Sequence, residues 1–163
     1  MGGDVSEKVY GVAPSEVLLA HDGLDFLKGI IAGKFPNPPI SEVLGFHLIE
    51  VEKGRAAFSG TPSFSLYNPI GTVHGGWTAT LLDSAMGCSI FSTMSKGEAW
   101  TTLEFKVNFV RRLDKDTGPV RAEARIIHRG RTMATAEGDL KDSSGKLYAH
   151  ANTTCMVFPG KAD

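Results

Sequence analysis

Residues 67–93, YNPIGTVHGGWTATLLDSAMGCSIFST, carry the pattern that decides the fold of this chain. An Asn-Pro turn signal and a His-Gly-Gly sequence precede a run of apolar residues at helical spacing. The apolar stripe consists of Leu82, Met86, Ile90 and Met94, widened by Leu81, Ala85 and Cys88. The pattern predicts a helix that begins near Gly75 or Gly76 and extends to about Thr93. Small residues recur within it, so we expect another element to pack very close to this helix.

Asp83 is the one carboxylate in the predicted helix, and no basic residue stands three or four positions from it. Between His74 and Lys96 the sequence has no other carboxylate and no basic side chain. Because the helix is expected to be mostly buried, an unpaired carboxylate there costs free energy unless a neighbour satisfies it or a reaction uses it. Asp83 is therefore the first candidate for a catalytic residue, and a solvent-facing aspartate at the helix edge is the alternative.

The composition limits the classes of function. The chain has 163 residues, which fits a single globular domain, and its formal net charge of −1 argues against bulk binding to nucleic acid or to an anionic membrane. Cys88 and Cys155 lie in apolar segments without metal-ligand spacing, so we expect reduced thiols in a cytoplasmic protein. The N-terminal residues lack the apolar region of a signal peptide, and no run of about 18 apolar residues predicts a membrane span.

The rest of the chain is predicted to be mostly strands on both sides of this helix. Residues 1–40 are predicted to form a partly helical N-terminal extension, and residues 41–160 a single domain. Apolar alternation and Gly-containing turns predict strands at 46–52, 55–61, 102–109, 120–128, 132–141 and 147–158. We expect the last four strands to form a meander, and an antiparallel sheet of five or six strands to wrap around the helix. The predicted fold class is α+β.

The strand predicted at 102–109 has the clearest alternation in the chain. Its apolar residues are Leu103, Phe105, Val107 and Phe109, and its polar residues are Thr102, Glu104, Lys106 and Asn108. Period-two alternation predicts a strand whose apolar face is covered and whose polar face is open to solvent or to another subunit.

The order of elements and the string NPIGTVHGGWTATLLD, residues 68–83, resemble the hotdog fold. Within that fold the chain is similar to the acyl-CoA thioesterases of the 4-hydroxybenzoyl-CoA and phenylacetate-degradation family. The likeness covers roughly Leu44 to Val157 and includes residues 102–112 and the sequence His-Arg-Gly-Arg at 128–131. The first forty residues have no counterpart in it.

The resemblance implies hydrolysis of an acyl-CoA thioester to a carboxylic acid and free coenzyme A. Asp83 would act as nucleophile or as general base toward water, since a carboxylate can do either. The Gly75 N–H, at the positive end of the helix, would polarise the thioester carbonyl. The resemblance also implies that the Asn68 amide helps to place the water or the carbonyl, and that Thr102 contacts the water or the carboxylate. It implies that His74 orients the loop, although all three residue types are also common in purely structural roles.

Gly75 and Asp83 are eight residues apart on one predicted helix, about 12 Å along its axis. They cannot both contact one thioester carbon, so if both are catalytic the second must come from another subunit. The resembled enzymes build each site at a dimer interface. We therefore expect at least a homodimer, and a homotetramer made as a dimer of dimers through the polar face of the strand at 102–109.

Coenzyme A carries phosphate groups, which require cations near the mouth of the site. The candidates are Arg111 and Arg112, which follow one strand, and the hairpin turn Arg129-Gly130-Arg131. We expect both groups at the same edge of the sheet, and we expect neither a metal nor a redox cofactor. The candidates for an acyl pocket, each of which could equally be a core residue, are Phe64, Leu66 and Trp77.

Two other functions are compatible with the same fold. A hotdog enoyl-CoA hydratase or dehydratase needs a histidine and a carboxylate that act together, and no histidine lies near Asp83 in the sequence. A non-catalytic acyl-CoA sensor would be supported by an attached DNA-binding helix-turn-helix, which the Gly- and Pro-broken extension does not resemble. Thioester hydrolysis is therefore the leading hypothesis.

Overall fold

The computed structural model describes residues 8–162 and has four α-helices and six strands in that range. The helices are α1 Ser15–Leu19, α2 Gly23–Ile31, α3 Pro39–Leu44 and α4 Gly75–Phe91. The strands are β1 Phe46–Glu52, β2 Arg55–Gly60, β3 Glu98–Phe109, β4 Val120–Arg129, β5 Met133–Asp142 and β6 Leu147–Pro159. A single 3-10 turn, Phe64–Leu66, lies between β2 and α4. Residues 1–7 of the predicted extension lie outside the described range.

The six strands form one antiparallel sheet in the order β1-β2-β4-β5-β6-β3, and α4 packs across one of its faces. This confirms the predicted α+β class and the hotdog arrangement of a sheet around one long helix. The predicted four-stranded meander is correct only for β4, β5 and β6. β3 pairs with β6 at the edge of the sheet rather than with β4, the next strand in the chain. The segment between β3 and β4 therefore crosses over two strands.

The core lies between α4 and the face of the sheet that this helix covers. The large side chains of α4 that are completely buried are Leu81, Leu82, Met86 and Ile90. Opposite them, β4, β5 and β6 contribute six buried alanines, namely Ala122, Ala124, Ala134, Ala136, Ala149 and Ala151. Short side chains on the sheet let the helix approach closely, and each large apolar side chain buried in return contributes about 1.5–3 kcal/mol. This packing fixes the helix that carries Asp83.

The ends of α4 agree with the sequence-based bounds to within two residues. His74 is the N-cap residue, and its Nδ1 atom accepts a hydrogen bond from the Gly76 N–H at 2.9 Å. This bond satisfies one of the donors that every helix leaves free in its first turn. At the other end, the Ser92 hydroxyl donates to the carbonyl oxygen of Ser89 at 2.7 Å, and the helix stops before Thr93.

The N-terminal extension packs against the C-terminal end of α4. Its main-chain contacts are made to the loop between α4 and β3: Gly23 N–H donates to Met94 at 2.9 Å, and Gly97 N–H donates to Leu19 at 2.9 Å. A series of aromatic rings connects the extension with β3. Phe26 stacks on Phe35, Phe26 also contacts Phe91, and Phe91 stacks on Trp100 with ring centroids 4.2 Å apart.

β3 differs from the prediction in the covering of its apolar residues. Leu103, Phe105 and Phe109 are 54%, 39% and 58% exposed in the single chain, whereas Val107 packs against the core. The expectation that this apolar face is covered is therefore wrong for the isolated chain. The reason is topological: β3 is an edge strand, and no further strand of the described chain lies beyond it.

Candidate active site

Asp83 lies in the middle of α4 and is half-buried. The hydroxyl of Thr102 on β3 donates to its Oδ1 atom at 3.3 Å. Burial raises the pKa of Asp83 above its ordinary value near 3.8, and the hydrogen bond from Thr102 partly opposes this shift. Among residues 8–162, no ion pair involves this carboxylate. The environment thus favours a carboxylate that is more basic than one in water.

Thr102 reaches Asp83 because β3 contains a bulge. The register between β3 and β6 shifts between Thr102, which pairs with Cys155, and Glu104, which pairs with Thr154. Leu103 is the extra residue. The bulge turns Thr102 to the side of the sheet that carries α4, the same side as Phe105, Val107 and Phe109. The simple alternation had placed Thr102 on the opposite, polar face, and that assignment is wrong.

Gly75 lies at the first position of α4, where main-chain N–H groups have no partner inside the helix. The Gly76 N–H is bonded to His74, but no acceptor within residues 8–162 takes the Gly75 N–H. A Cβ atom at position 75 would lie 3.0 Å from the ring of Phe109, so a side chain there would crowd the space beside that ring. The free Gly75 N–H can donate to an oxygen that gains negative charge.

Asn68 organises the loop that leads into α4. Its Oδ1 atom accepts from the N–H groups of Ile70 and Thr72, each at 3.1 Å, and its Nδ2 atom donates to the Thr72 hydroxyl at 2.9 Å. These three bonds use the side-chain amide of Asn68 to hold the loop together, which is the usual structural role of an Asn before Pro. A contact of Asn68 with water or substrate stays a prediction.

An open cleft of about 360 Å³ lies at the N-terminal end of α4. Its lining includes Asn68, Gly75, Phe109, Arg111 and Arg112. Asp83 is not among the lining residues, because it lies two helical turns further along α4, about 12 Å away. The single chain therefore brings Gly75 together with two of the predicted cations, but it does not bring Gly75 to Asp83.

The predicted coenzyme A cations lie at opposite ends of the sheet in one chain. Arg129 pairs with Glu98 at the beginning of β3 at 2.6 Å, whereas Arg111 and Arg112 follow the end of that strand. A strand of twelve residues spans roughly 36 Å. The expectation of a common edge is therefore wrong within one chain, because β4 and β3 run in opposite directions on the two sides of the β5–β6 pair.

The four arginines also differ in whether their side chains already have a bonding partner within the chain. Arg129 is held by Glu98, and Arg111 donates to the Leu147 carbonyl oxygen at 2.7 Å and lies over the ring of Tyr148. Arg112 and Arg131 are exposed, and no hydrogen bond or ion pair within the described residues involves them. The side chains best placed to bind an outside phosphate are therefore Arg112 and Arg131. Gly130 lies in the turn between β4 and β5, and its N–H donates to the carbonyl oxygen of Met133 at 2.8 Å.

The three candidates for an acyl pocket separate into core and surface. Trp77 is 3% exposed and donates from Nε1 to the Leu44 carbonyl oxygen at 2.8 Å, so it is a core residue. Leu66 packs against the core, whereas Phe64 is 74% exposed. Of the three, only Phe64 is free to contact a ligand or another subunit.

Two residues beside the β3 bulge were missed because nothing in the sequence distinguishes them from ordinary strand residues. Cys155 lies with its Sγ atom 3.8 Å from the Thr102 hydroxyl oxygen. Thr153, which is 3% exposed, donates to the carbonyl oxygen of Glu104 at 2.7 Å. Only the register between β3 and β6 places both residues at the bulge.

The remaining predicted features concern thiols, metals and membranes. Cys88 and Cys155 are both free thiols, and burial together with the nearby Asp83 carboxylate raises the pKa of Cys88 to about 12. Within residues 8–162, His, Cys, Asp and Glu side chains do not form a group of three that could hold a metal ion. No helix in that range is long and apolar enough to cross a membrane.

Comparisons with known proteins find a family and several relatives. A profile of the thioesterase superfamily matches residues 70–149. A 1,4-dihydroxy-2-naphthoyl-CoA hydrolase of Listeria monocytogenes is 27% identical over 118 residues, which are 72% of this chain and 94% of the relative. A protein of Saccharolobus solfataricus named as an esterase is 30% identical over 112 residues, 69% of this chain and 78% of the relative. A solved thioesterase from Ralstonia eutropha, related to phenylacetic acid degradation, is 28% identical with a TM-score of 0.72, covering 80% of this chain and 98% of that one.

Proposed function

Because this chain belongs to the thioesterase superfamily, we infer that it is an acyl-CoA thioesterase, which hydrolyses acyl-CoA to a carboxylic acid and free coenzyme A. We assign the role of nucleophile or general base to Asp83, and the polarisation of the carbonyl to the Gly75 N–H. The observation that carries this assignment is the half-buried carboxylate of Asp83, which has a hydroxyl beside it and no ion pair among the described residues. Catalytic use explains why a fold retains such a costly group.

Hydrolysis consumes one water molecule by either of the two routes open to Asp83. As a general base, Asp83 takes a proton from a water molecule whose oxygen attacks the thioester carbon. As a nucleophile, it attacks that carbon itself, and water then cleaves the resulting anhydride. In both routes the carbonyl oxygen gains negative charge, which a Gly75 N–H stabilises, and the C–S bond breaks to release the thiol of coenzyme A. Neither route requires a metal or a redox cofactor.

We propose that each site joins Asp83 of one subunit to Gly75 of a second. Both groups lie beside β3, since Thr102 contacts Asp83 and Phe109 lies over Gly75. If two copies of β3 pair antiparallel, with Thr102 of one opposite Phe109 of the other, each Asp83 lies beside the Gly75 of the second copy. The two-fold axis then passes close to Phe105, in the middle of the strand.

Two features of the single chain support this pairing. The exposed apolar residues of β3, Leu103, Phe105 and Phe109, lie on both sides of the proposed axis, and pairing would cover them. Between positions 75 and 84, the incompletely buried positions of α4 carry small side chains, namely Gly75, Gly76, Ala79, Thr80, Asp83 and Ser84. Two helices that cross at small residues can approach each other closely. Asp83 of one subunit can then lie beside Gly75 of the other, whereas within one chain the two residues are too far apart.

The same pairing would bring together the arginines that one chain keeps apart. The end of β3 in one subunit falls beside the beginning of β3 in the other. Arg112 of one subunit then approaches the end of the sheet that carries Arg131 of its partner. We propose that these two free side chains bind the phosphates of coenzyme A, while Arg129 remains paired with Glu98.

The outer face of the sheet, opposite α4, is the surface that we propose for the contact between dimers. Its side chains form ion pairs, such as Arg125 with Glu137 and Lys141 with Asp139. A charge-balanced polar face fits a secondary contact in a dimer of dimers.

Free thiols at Cys88 and Cys155 support a cytoplasmic location, where thiols stay reduced.

The experiment that tests the proposed function measures thiol release from a panel of acyl-CoA thioesters. The panel includes aromatic and aliphatic acyl groups, because two of the similar proteins are named for aromatic acyl compounds. Asp83→Asn should lower kcat by about 10²–10³, the size of a general-base contribution. The matched control is Asp25→Asn, an exposed carboxylate on α2. Binding of acyl-CoA without turnover in the native protein would favour the sensor function instead.

The shared site is tested by mixing two inactive variants. Asp83→Ala removes the carboxylate, and Gly75→Val places a side chain beside the Phe109 ring, where it blocks the approach to the N–H. Each variant alone should be inactive. A mixed dimer places both lesions in one site and leaves the other intact, so about half of the native activity should return. Verified mixed dimers without activity would show that both groups act within one chain.

A further inference from the structure

The bulge in β3 is held by two side chains of the neighbouring strand. Thr153 lies on the α4 side of β6, is buried, and donates from its hydroxyl to the carbonyl oxygen of Glu104 at 2.7 Å. Glu104 is the residue directly after the bulged Leu103. A bulge interrupts the main-chain ladder, so a carbonyl oxygen beside it gains from a side-chain donor. Thr153 thus supports the main-chain geometry that turns Thr102 toward Asp83.

Cys155 acts on the same hydroxyl from the other side. It is completely buried and pairs directly with Thr102 across the ladder, with 3.8 Å between its Sγ atom and the Thr102 Oγ1 atom. Burial raises the pKa of Cys155, so the thiol keeps its proton at neutral pH. If that proton points to Thr102, the hydroxyl oxygen is occupied as an acceptor and its own proton is left for Asp83. The three groups then form one chain of donors that ends on the carboxylate.

We propose that Thr153 and Cys155 are positioning residues for the hydrolysis: they hold Thr102 so that its hydroxyl donates to Asp83. This inference depends on the proposed function of Asp83. Neither residue touches the reacting atoms, and each acts through Thr102. The arrangement gives the carboxylate a fixed orientation on α4, so that its second oxygen is left for water or for the thioester carbon.

Given the titratable groups around Asp83, its pKa is a specific measure of the hydrogen bond from Thr102. Those that face it are the thiols of Cys88 on its own helix and Cys155 on β6, and burial raises the pKa of both. Glu104 on β3 also lies within electrostatic range of Cys155. Within residues 8–162, the hydrogen bond from Thr102 is the one interaction that lowers the pKa of Asp83. Loss of that bond must therefore move the acid limb of the pH profile to higher pH.

The experiment measures kcat, KM and the acid limb of kcat/KM for Thr153→Val in the full-length oligomer. We expect kcat to fall about threefold to tenfold, the rate equivalent of one hydrogen bond, with KM unchanged. The acid limb should move to higher pH, in the same direction as for Thr102→Val. Thr153→Ser, which keeps the hydroxyl, should restore both values. Thr154→Val, the next residue on β6 but on its outer face, is the matched control.

Cys155→Ala keeps the test decisive if Thr153→Val does not fold. It should lower kcat about twofold to threefold and shift the acid limb in the same direction, since a thiol is a weak donor. A lower kcat with an unmoved acid limb in the folded variant would show a purely structural role and overturn the proposal. If Thr102→Val and Asp83→Asn also leave turnover unchanged, the proposed function fails. If only the β6 variants leave it unchanged, this inference alone fails.

Discussion

The two edges of the sheet are built in opposite ways. β1, at one edge, has seven residues, carries a register shift between Leu48 and Glu50, and has α2 and α3 packed against it. β3, at the other edge, has twelve residues and exposes the apolar side chains of Leu103, Phe105 and Phe109. Short length, a bulge, charges and covering helices are the usual means by which proteins keep an edge strand from pairing.

The charged side chains also differ between the β1 edge and the β3 edge. At the β1 edge, Arg121 pairs with Glu50 at 2.7 Å and with Glu123 at 2.8 Å, and Arg55 pairs with Glu123 at 2.7 Å. Near the two ends of β3, the side chains of Arg112 and Arg131 are exposed, and within residues 8–162 they form no hydrogen bond or ion pair. The β1 edge is therefore covered and charge-paired within one chain, whereas the β3 edge exposes apolar side chains, and we propose that a second subunit pairs with it.

The largest expected effect comes from breaking the β3 edge at its centre. Phe105→Lys places two like charges beside each other at the proposed two-fold axis, so the dimer should dissociate. Turnover should fall by at least about 10², because each site loses the Gly75 N–H of its partner. Sedimentation or light scattering, combined with thiol release, measures both consequences on the same sample.

The control for this prediction introduces a lysine at the other edge. Glu52 lies on β1, and its side chain is 74% exposed. Glu52→Lys should therefore leave assembly and turnover near native values. A fully active monomer of Phe105→Lys would contradict the shared site. Dissociation by Glu52→Lys would contradict the division between the edges.

A smaller effect is expected from the free arginines. The double variant Arg112→Ala, Arg131→Ala should raise KM for acyl-CoA about tenfold and leave kcat unchanged, since contacts to a remote phosphate contribute equally to ground-state and transition-state binding. Thioesters that lack the nucleotide should be hydrolysed as by the native protein.

The comparison variant is Arg55→Ala at the β1 edge. Its guanidinium already pairs with Glu123, so KM should not change. An equal loss on both kinds of thioester in the double variant would show that Arg112 and Arg131 do not bind the nucleotide part of the substrate.

The smallest effect concerns the ion pairs at the β1 edge. Hydrogen bonds and charges from Arg121 and Arg55 lower the pKa of Glu50 and Glu123 below the ordinary value near 4.5. A carboxylate whose pKa is lower in the folded state adds stability above its unfolded pKa and loses it as the pH falls through the folded pKa.

Arg121→Gln should therefore lower the melting temperature at pH 7 by about 2–4 °C, since surface ion pairs contribute up to about 1 kcal/mol. The difference from the native protein should shrink below about pH 4, as the carboxylates become protonated in both states. Calorimetry at pH 7 and pH 3.5 measures it, and a difference that is equal at both values would exclude an ionic origin.

The elements that were correctly predicted owe their form to local sequence. α4 is set by the apolar stripe that contains Leu82 and Met86 and by the Gly residues at its start, and its observed bounds follow them. β1 and β2 were correct to within one residue because Lys53-Gly54 marks the turn between them, where Gly54 has a φ of 81°. Such signals lie within a few residues of the structure that they specify.

The features that were not predicted depend on pairing between distant segments. The position of β3 beside β6 involves residues about 50 positions apart, and alternation within β3 contains no information about its neighbour. The bulge at Leu103 reverses the face of Thr102 without any Gly or Pro to announce it. The ion pair of Arg129 with Glu98 depends on the same long-range register, and therefore the common edge predicted for the arginines was wrong.

The hydrogen bonds of the extension have a consequence for amide exchange. Gly23 N–H, Lys96 N–H and Gly97 N–H all connect the extension with the loop between α4 and β3, the Lys96 N–H through the Asp22 carboxylate. Loops at helix ends usually exchange their amide hydrogens by local opening, without unfolding of the core. Here, release of those amides requires the extension to detach, together with the ring of Phe26 that packs against Phe91. The slow-exchange core should therefore extend through residues 96 and 97 into α2, so that α4 and the N-terminal extension open as one unit.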